Sequence, residues 1–359
     1  MIAPAGSSDV VAAVGPRPPA TLADLLSIQR NACHEAGSLL YARLLERSLE
    51  RLDHPGALRD LLVARSGDPF GSALALRFLG GVHRLVLEGR APELARHYPS
   101  MGGHPGPELE DDFQRVVEEH GEILAARIGD GVQTNEVGRS VPLAGALLGV
   151  AELGFPLRIF EVGASAGRNL RWDHYRYQAG SSAFGDPASP VHFAEPWTDR
   201  RPRLDVEVEV IERRGCDLAP IDATTDDGRL KLRAFVWPDL VARFQRLDAA
   251  IDVARRVPAP IDAADGPDWV AERLADRVSG TATVLMHSIF QQYLPTARRT
   301  ELRTSIAAAG QRATRQAPLA WVRLEPGREG AETRCTLWPG GRERLLSIST
   351  YHGPPVRWL

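Results

Sequence analysis

From residue 157 onward, short apolar runs suited to buried strands alternate with amphipathic helical stretches, and nothing else in the sequence constrains the fold as much. Strands read at LRIFEVG (157–163), VEVEVIE (206–212), LRAFV (232–236), ATVLMHS (282–288), LAWVRLE (319–325), TRCTLW (333–338) and RLLSIST (344–350). Helical periodicity fills 239–257, 268–278 and 297–310 between them. Strands joined through helices imply crossover connections and a mostly parallel sheet, an α/β, Rossmann-like arrangement. No helix separates the last two strands, so they should form an antiparallel hairpin at one edge.

Strand signals are almost absent before residue 156. Thr21 is a plausible N-cap for LADLLSIQRNACHEAG, and LLYARLLERSLERL repeats its leucines at helical spacing until His54-Pro55-Gly56 breaks it. Further helices are expected at 57–65, 71–88, 108–127 and 140–153. The organisation read from this is a disordered leader (1–20), an all-helical region (21–153) and a Rossmann-like domain (154–359). The helical region should cover the carboxyl edge of the sheet and shape an acceptor pocket.

A net charge of −3 over 359 residues supplies no basic excess for a nucleic-acid partner. Lys231 is the only lysine, and no arginine-dense run stands out. Cys33, Cys216 and Cys335 are far apart and form neither a disulfide framework nor a zinc site, which suits a reducing cytoplasm. No His/Cys/Asp/Glu cluster has metal-ligand spacing. No stretch approaches the roughly 18 apolar residues of a membrane span. The leader lacks the basic and apolar segments of a signal peptide.

The strongest local signal is EVGASAGRNL (161–170), a strand entering a glycine-rich turn and then a helix. Three chemistries fit it. Gly163-Ala164-Ser165-Ala166-Gly167 matches the nucleophile elbow of serine hydrolases, but the strands and oxyanion loop that should precede it are replaced by helices. A dinucleotide fingerprint needs glycine where Ser165 stands, and a third glycine. An acid followed by G-x-x-x-G suits S-adenosylmethionine best. That ligand has no pyrophosphate, and Glu161 can accept a hydrogen bond from its ammonium group. Gly163, Ala164, Ser165 and Gly167 would line the approach.

Asp217, in VIERRGCDLAP (210–220), can accept from both ribose hydroxyls. It stands further from Glu161 than the usual ~20 residues, so 178–203 reads as a looped insertion; Asp222 is the reserve. In VPAPIDAADGPDW (257–269), Asp262 or Asp265 could meet the adenine amino group, or cap the next helix. In QTNEVGRS (133–140), Arg139 could pair with the methionine carboxylate, and Asn135 or Glu136 could bind substrate; the plainer alternative is capping by Thr134 or Asn135. In HSIFQQYLP (287–295), His287 could act as general base with Tyr293 beside it, and Gln291 could orient substrate; His287 could equally be a hydrogen-bonded strand-end histidine. FVWPD offers Trp237 and Asp239 for substrate, or Asp239 as a cap. His352 and Glu325 are weaker candidates.

EVGASAGRNL, QTNEVGRS, RRGCDLAPID (213–222), FVWPD, HSIFQQYL and the closing YHG (351–353) together resemble the DUF2332 family, an uncharacterised bacterial family, over roughly residues 25–359. The resemblance implies a class I methyltransferase-like fold and brings no substrate with it. Arg168 departs from the apolar residue of the family motif. The expectation is a methyltransferase using S-adenosylmethionine on a small-molecule acceptor; a non-catalytic nucleoside-binding protein and a hydrolase using Ser165 are the alternatives.

Overall fold

A computed structural model describes residues 21–68, 72–129, 131–132 and 136–359. The leader and Asn135 lie outside the described residues. The chain starts with α1 (Leu22–Glu35), α2 (Leu39–Arg51), α3 (Ala57–Val63), α4 (Leu74–Leu87), α5 (Pro92–Ala95), α6 (Leu109–Glu119), α7 (Gly121–Arg127) and α8 (Ser140–Ala151). Next come β1 (Leu157–Val162), β2 (Arg176–Ala179), β3 (Ser182–Phe184), β4 (His192–Ala194), β5 (Trp197–Asp199) and β6 (Val210–Asp217). Two helices follow, α9 (Asp226–Ala234) and α10 (Val241–Arg256), then β7 (Ile261–Ala263), α11 (Gly266–Arg273), β8 (Ala282–Ser288) and α12 (Thr296–Gln311). The strands β9 (Leu319–Pro326), β10 (Ala331–Trp338), β11 (Arg342–Thr350) and β12 (Gly353–Trp358) complete the chain.

Two compact units result, and their boundary is not the one expected at 153/154. The helical unit takes residues up to 134 together with 223–248; the sheet unit takes 135–222 and 249–359. α8 therefore belongs with the sheet, and its nearly all-apolar surface is the reason: such a helix must be buried on every side.

In the helical unit α1 opens with the expected cap. Asp24 N–H donates to Thr21 Oγ1 (3.1 Å), and Thr21 N–H donates back to Asp24 Oδ2 (2.9 Å), a reciprocal capping box. The stretch at 108–127 breaks at His120 into α6 and α7. The expected strand at 232–236 is instead the end of α9. Thr225 caps that helix by accepting from Gly228 N–H (3.0 Å), with Asp226 and Asp227 in its first turn and Lys231 and Arg233 in its last. Those charges complement the helix dipole, and together with the cap they outweigh the strand character of LRAFV.

Among the described residues the main sheet of the sheet unit has nine strands, in the order β5-β12-β11-β10-β9-β8-β1-β6-β7. β7, β6, β1, β8 and β9 run parallel, while β9 to β12 form an antiparallel meander. The β10–β11 hairpin is thus interior, flanked by β12 and then β5, rather than at an edge. β6 begins at Val210, later than the expected 206. The segment read as a loop at 178–203 contains four short strands, three of them forming a small sheet, β3-β2-β4, over which Tyr177 and Phe193 stack. The glycine turn after β1 leads into a 3-10 helix at Asn169–His174, where a Rossmann-like fold would have an α-helix.

Side chains alternate across the sheet. Leu157, Ile159 and Glu161 share one face with Ala282, Val284 and Met286, their register partners on β8. That face packs on α8 and the 3-10 turn. Phe160, Val162 and Leu285 face the other way, onto α11 and α12. No helix among the described residues is long and apolar enough to cross a membrane.

Candidate functional site

Numbered along the chain, the five parallel strands lie in the order third, second, first, fourth, fifth. The order in which strands are added reverses between β1 and β8, and in such sheets ligands bind at the carboxyl ends beside that switch point. Glu161 stands there, fully buried. Asn169 Nδ2 donates to its Oε1 at 2.8 Å. Glu161 Oε2 and Asn169 Oδ1 have no hydrogen-bond partner among the described residues. Burial pushes the Glu161 carboxyl up to about 8, against the Asn169 hydrogen bond and the positive charge of Arg168. Arg168 is itself buried, with Tyr175, Glu136 and Glu161 favouring its charge; burial still lowers it to about 10. The departure from the family motif thus places a cation behind the loop.

Glu136 and Arg139 border this cluster. Glu136 Oε1 accepts from Gly138 N–H (3.1 Å) and caps a 3-10 turn at Val137–Arg139, the capping role expected of Thr134 or Asn135, which lie outside the described residues. Arg139 Nε donates to Tyr351 O (2.9 Å). Gly353 (φ 98°) crosses against Gly138 so closely that an added Cβ would lie 2.1 Å from Gly138 O. Two of the sequence motifs, QTNEVGRS and YHG, therefore meet backbone to backbone.

The glycine turn is stapled to β6. Ala164 N–H donates to Cys216 O (3.0 Å), and Ser165 N–H donates to Asp217 Oδ2 (2.9 Å). Asp217 Oδ1 accepts from Ala219 N–H (3.0 Å). Asp217 organises the turn with one lone pair on each oxygen, which leaves acceptor capacity for a ligand hydroxyl. Gly163 and Gly167 have positive φ (67° and 64°), as does Ser165 (52°). A Cβ on Gly163 would meet Phe290 Cδ2 at 2.5 Å, so this glycine makes room for the Phe290 ring.

Several candidates have other duties. Asp262 takes a bidentate pair from Arg214 (2.6 and 2.7 Å) and the indole N–H of Trp269 (2.7 Å), two of these three bonds falling on Oδ2 and one on Oδ1. Asp265 is paired with Arg298. His287 is buried, and Trp321 Nε1–H donates to its Nε2 (3.0 Å), so the proton sits on Nδ1 and is donated to Glu325 Oε1 (2.6 Å). Burial opposes ionisation of Glu325, but the hydrogen bond from His287 and those from the amides of Phe290 and Gln291 hold its carboxyl below the ordinary range. His287 lies on the sheet face opposite Glu161, because Met286 and Ser288 take the Glu161 face. It is the hydrogen-bonded strand-end histidine, not a base poised beside Glu161. Gln291 is buried, donating toward His287 Nε2 (3.4 Å) and accepting from Arg303 (2.9 Å). Tyr293 is 65% exposed.

Trp237 and Asp239 belong to the helical unit. Trp237 packs on Tyr41 (6.3 Å between ring centroids). Asp239 caps α2, accepting from Ser38 Oγ–H (2.6 Å) and Leu40 N–H (2.9 Å), rather than its own following helix or a substrate. His352 N–H donates to Thr350 Oγ1 (3.2 Å). An open groove of about 360 Å³ lies at the amino end of β6, lined by Val210, Glu212 and Pro260, at the opposite end of the strand from Asp217.

Sequence reasoning missed Asn169 and Ser288, whose Oγ is 3.5 Å from Asn169 Nδ2. Alternation along ATVLMHS is the signal that singles out Ser288 once Glu161 is paired with Met286.

Residues 23–358 match the family described as "Uncharacterized protein conserved in bacteria (DUF2332)", and the chain belongs to that family. Comparisons with curated proteins and with solved structures yield no match.

Proposed function

We propose that this member of the DUF2332 family is an S-adenosylmethionine-dependent methyltransferase with a Rossmann-like cofactor domain, acting on a small-molecule acceptor in the cytoplasm. One observation carries the reading. A fully buried carboxyl group, Glu161, keeps an oxygen without a hydrogen-bond partner among the described residues at the end of the first strand, beside the switch point of five parallel strands. A buried acceptor in that state costs about 1–3 kcal/mol, more when charged, which a ligand donor recovers.

The cofactor, when bound, supplies a methyl group carried on a sulfonium. Glu161 would hold its ammonium group, and the Asp217 carboxylate would accept from ribose. Arg139 and Arg168 lend positive charge for its carboxylate. Asp262, held by Arg214 and Trp269, would offer the adenine amino group the remaining lone pair of its Oδ1. Methyl transfer from a sulfonium needs no protein nucleophile; what it needs is a positioned acceptor and a dry site.

The second reading, a protein that binds a nucleoside without turning it over, draws on His287, whose Nε2 is occupied by Trp321. The hydrolase reading gains from the positive φ of Ser165, but helices α1 to α8 stand where that fold needs strands and an oxyanion loop before the elbow.

Thermal stability with and without S-adenosylmethionine is the test. At 100 times its dissociation constant the ligand should add about 2.7 kcal/mol to the wild type. Glu161→Gln should lose most of that shift while remaining folded. A wild type with no ligand-dependent shift ends the cofactor assignment.

A further inference from the structure

Glu161 has a companion that the cofactor reading does not use. Asn169, only 2% exposed, donates to Glu161 Oε1 with its amide nitrogen and reaches toward Ser288 Oγ with the same nitrogen. Its oxygen therefore faces away from both, and it too lacks a partner among the described residues. Two buried oxygens, Glu161 Oε2 and Asn169 Oδ1, thus flank a single hydrogen bond; Asn169 Oδ1 needs a donor, and Glu161 Oε2 needs one whenever its carboxyl is ionised. A hydroxyl has one proton and can satisfy only one of them. A primary ammonium has three N–H groups on one nitrogen, and its positive charge suits a carboxylate neighbour.

We propose that Asn169 is a specificity residue: with Glu161, and with Ser288 alongside, it forms a pocket that selects a primary ammonium group of the ligand. The inference rests on the nucleoside-cofactor reading above and deepens it at one subsite. The local fold makes the pocket possible. Gly167 has φ 64°, and the turn that begins at Asn169 is 3-10 rather than α-helical, with the Asn169 amide against the Glu161 carboxyl at the end of β1. An α-helix begun at the same point would follow a different path, and the eight-residue spacing from Glu161 to Asn169 would no longer return the amide to the carboxylate.

Two probes separate this inference from the reading on which it stands. They are S-adenosylhomocysteine and its analogue with the amino group replaced by hydrogen, each titrated calorimetrically into the full-length chain. The wild type should bind the amino compound at least ~100-fold more tightly, the scale of hydrogen bonds to charged groups. Asn169→Leu should shrink that ratio to ~10-fold or less while leaving the affinity for the des-amino analogue unchanged, and that unchanged affinity itself reports an intact fold. If Asn169→Leu does not fold, Asn169→Ser takes its place, with the same shrinkage expected in smaller measure. Equal binding of the two compounds by the wild type overturns the ammonium pocket and leaves the nucleoside reading standing. A ratio unchanged in the Asn169 variant overturns the role of Asn169 alone. Binding of neither compound overturns the nucleoside reading, and the pocket with it.

Discussion

Each of the two units buries ionisable side chains, and each treats them differently. In the helical unit, His83 has a partner at each ring nitrogen, Ala234 O (3.2 Å) and Ser100 Oγ (2.9 Å). Asp112 is met by His97, Arg96 and Arg115, and Asp239 by Ser38 and Leu40. In the sheet unit His287 and Asp262 are engaged in the same way, but at the end of β1 Glu161 and Asn169, hydrogen-bonded to each other, each keep a buried oxygen without a partner among the described residues. Partners on every side are what a residue acquires when its task is to hold the fold. An acceptor left over in a dry site is stored free energy, and it marks where a ligand belongs.

The largest test of this contrast is a truncation. A chain beginning at residue 136 keeps the whole sheet but strips 223–248 of the helices it packs on: Trp237 loses Tyr41, Asp239 loses the start of α2, and Phe235 loses its place against Gly80. We expect it to be insoluble or aggregated on size-exclusion chromatography. A monodisperse, folded product would show that 223–248 can stand without the helices before residue 135.

Next in size are two pH responses of opposite sign. Glu161 is raised from about 4.5 to about 8, so the folded state holds a proton that the unfolded chain releases; stability should fall by up to about 1.4 kcal/mol per pH unit as pH rises from 4.5 to 8. Glu161→Gln should flatten that limb. His83 is lowered by burial from 6.5 to about 3, the hydrogen bond to Ala234 notwithstanding, so its contribution is present above pH 6.5 and is lost as pH falls toward 3. Hydrogen exchange read separately in β1 and α4 should show the first weakening with alkali and the second with acid. Parallel responses in the two elements would break the comparison. Ligand binding should tighten as pH rises toward 8, because an ammonium group needs Glu161 ionised.

The smallest effect is expected at Asp239. Asp239→Ala removes the cap of α2 and should cost about 1 kcal/mol in urea unfolding, without changing ligand affinity. A loss of affinity with stability intact would return Asp239 to the candidate site.

Much of the fold was legible because local signals agreed with it. The Thr21 box, the His54-Pro55-Gly56 break and the apolar strands at 157, 282, 319, 333 and 344 each state their own conformation. LRAFV misled because its cap, Thr225, lies seven residues upstream, outside the apolar run that suggested a strand. Strands of three or four residues, as in β2 to β5, are too short for an alternation to register. At the site, Glu161 was legible as an acid before a glycine. Asn169 was not, since its role depends on a 3-10 turn where the pattern suggests a helix. The commitments of Asp262 and His287 depend on partners, Arg214 and Glu325, that lie 48 and 38 residues away.

The division of the chain also sets a timetable for its birth. The helical unit is written in two instalments, and the second, 223–248, reaches the ribosome exit only after β1 and β6 have been synthesised. At ~5–20 residues per second, the earlier helices wait on the order of ten seconds for α9 to arrive. During that interval the surface meant for Trp237 and Phe244 is uncovered, and it is then, rather than in the finished protein, that a chaperone has most to do.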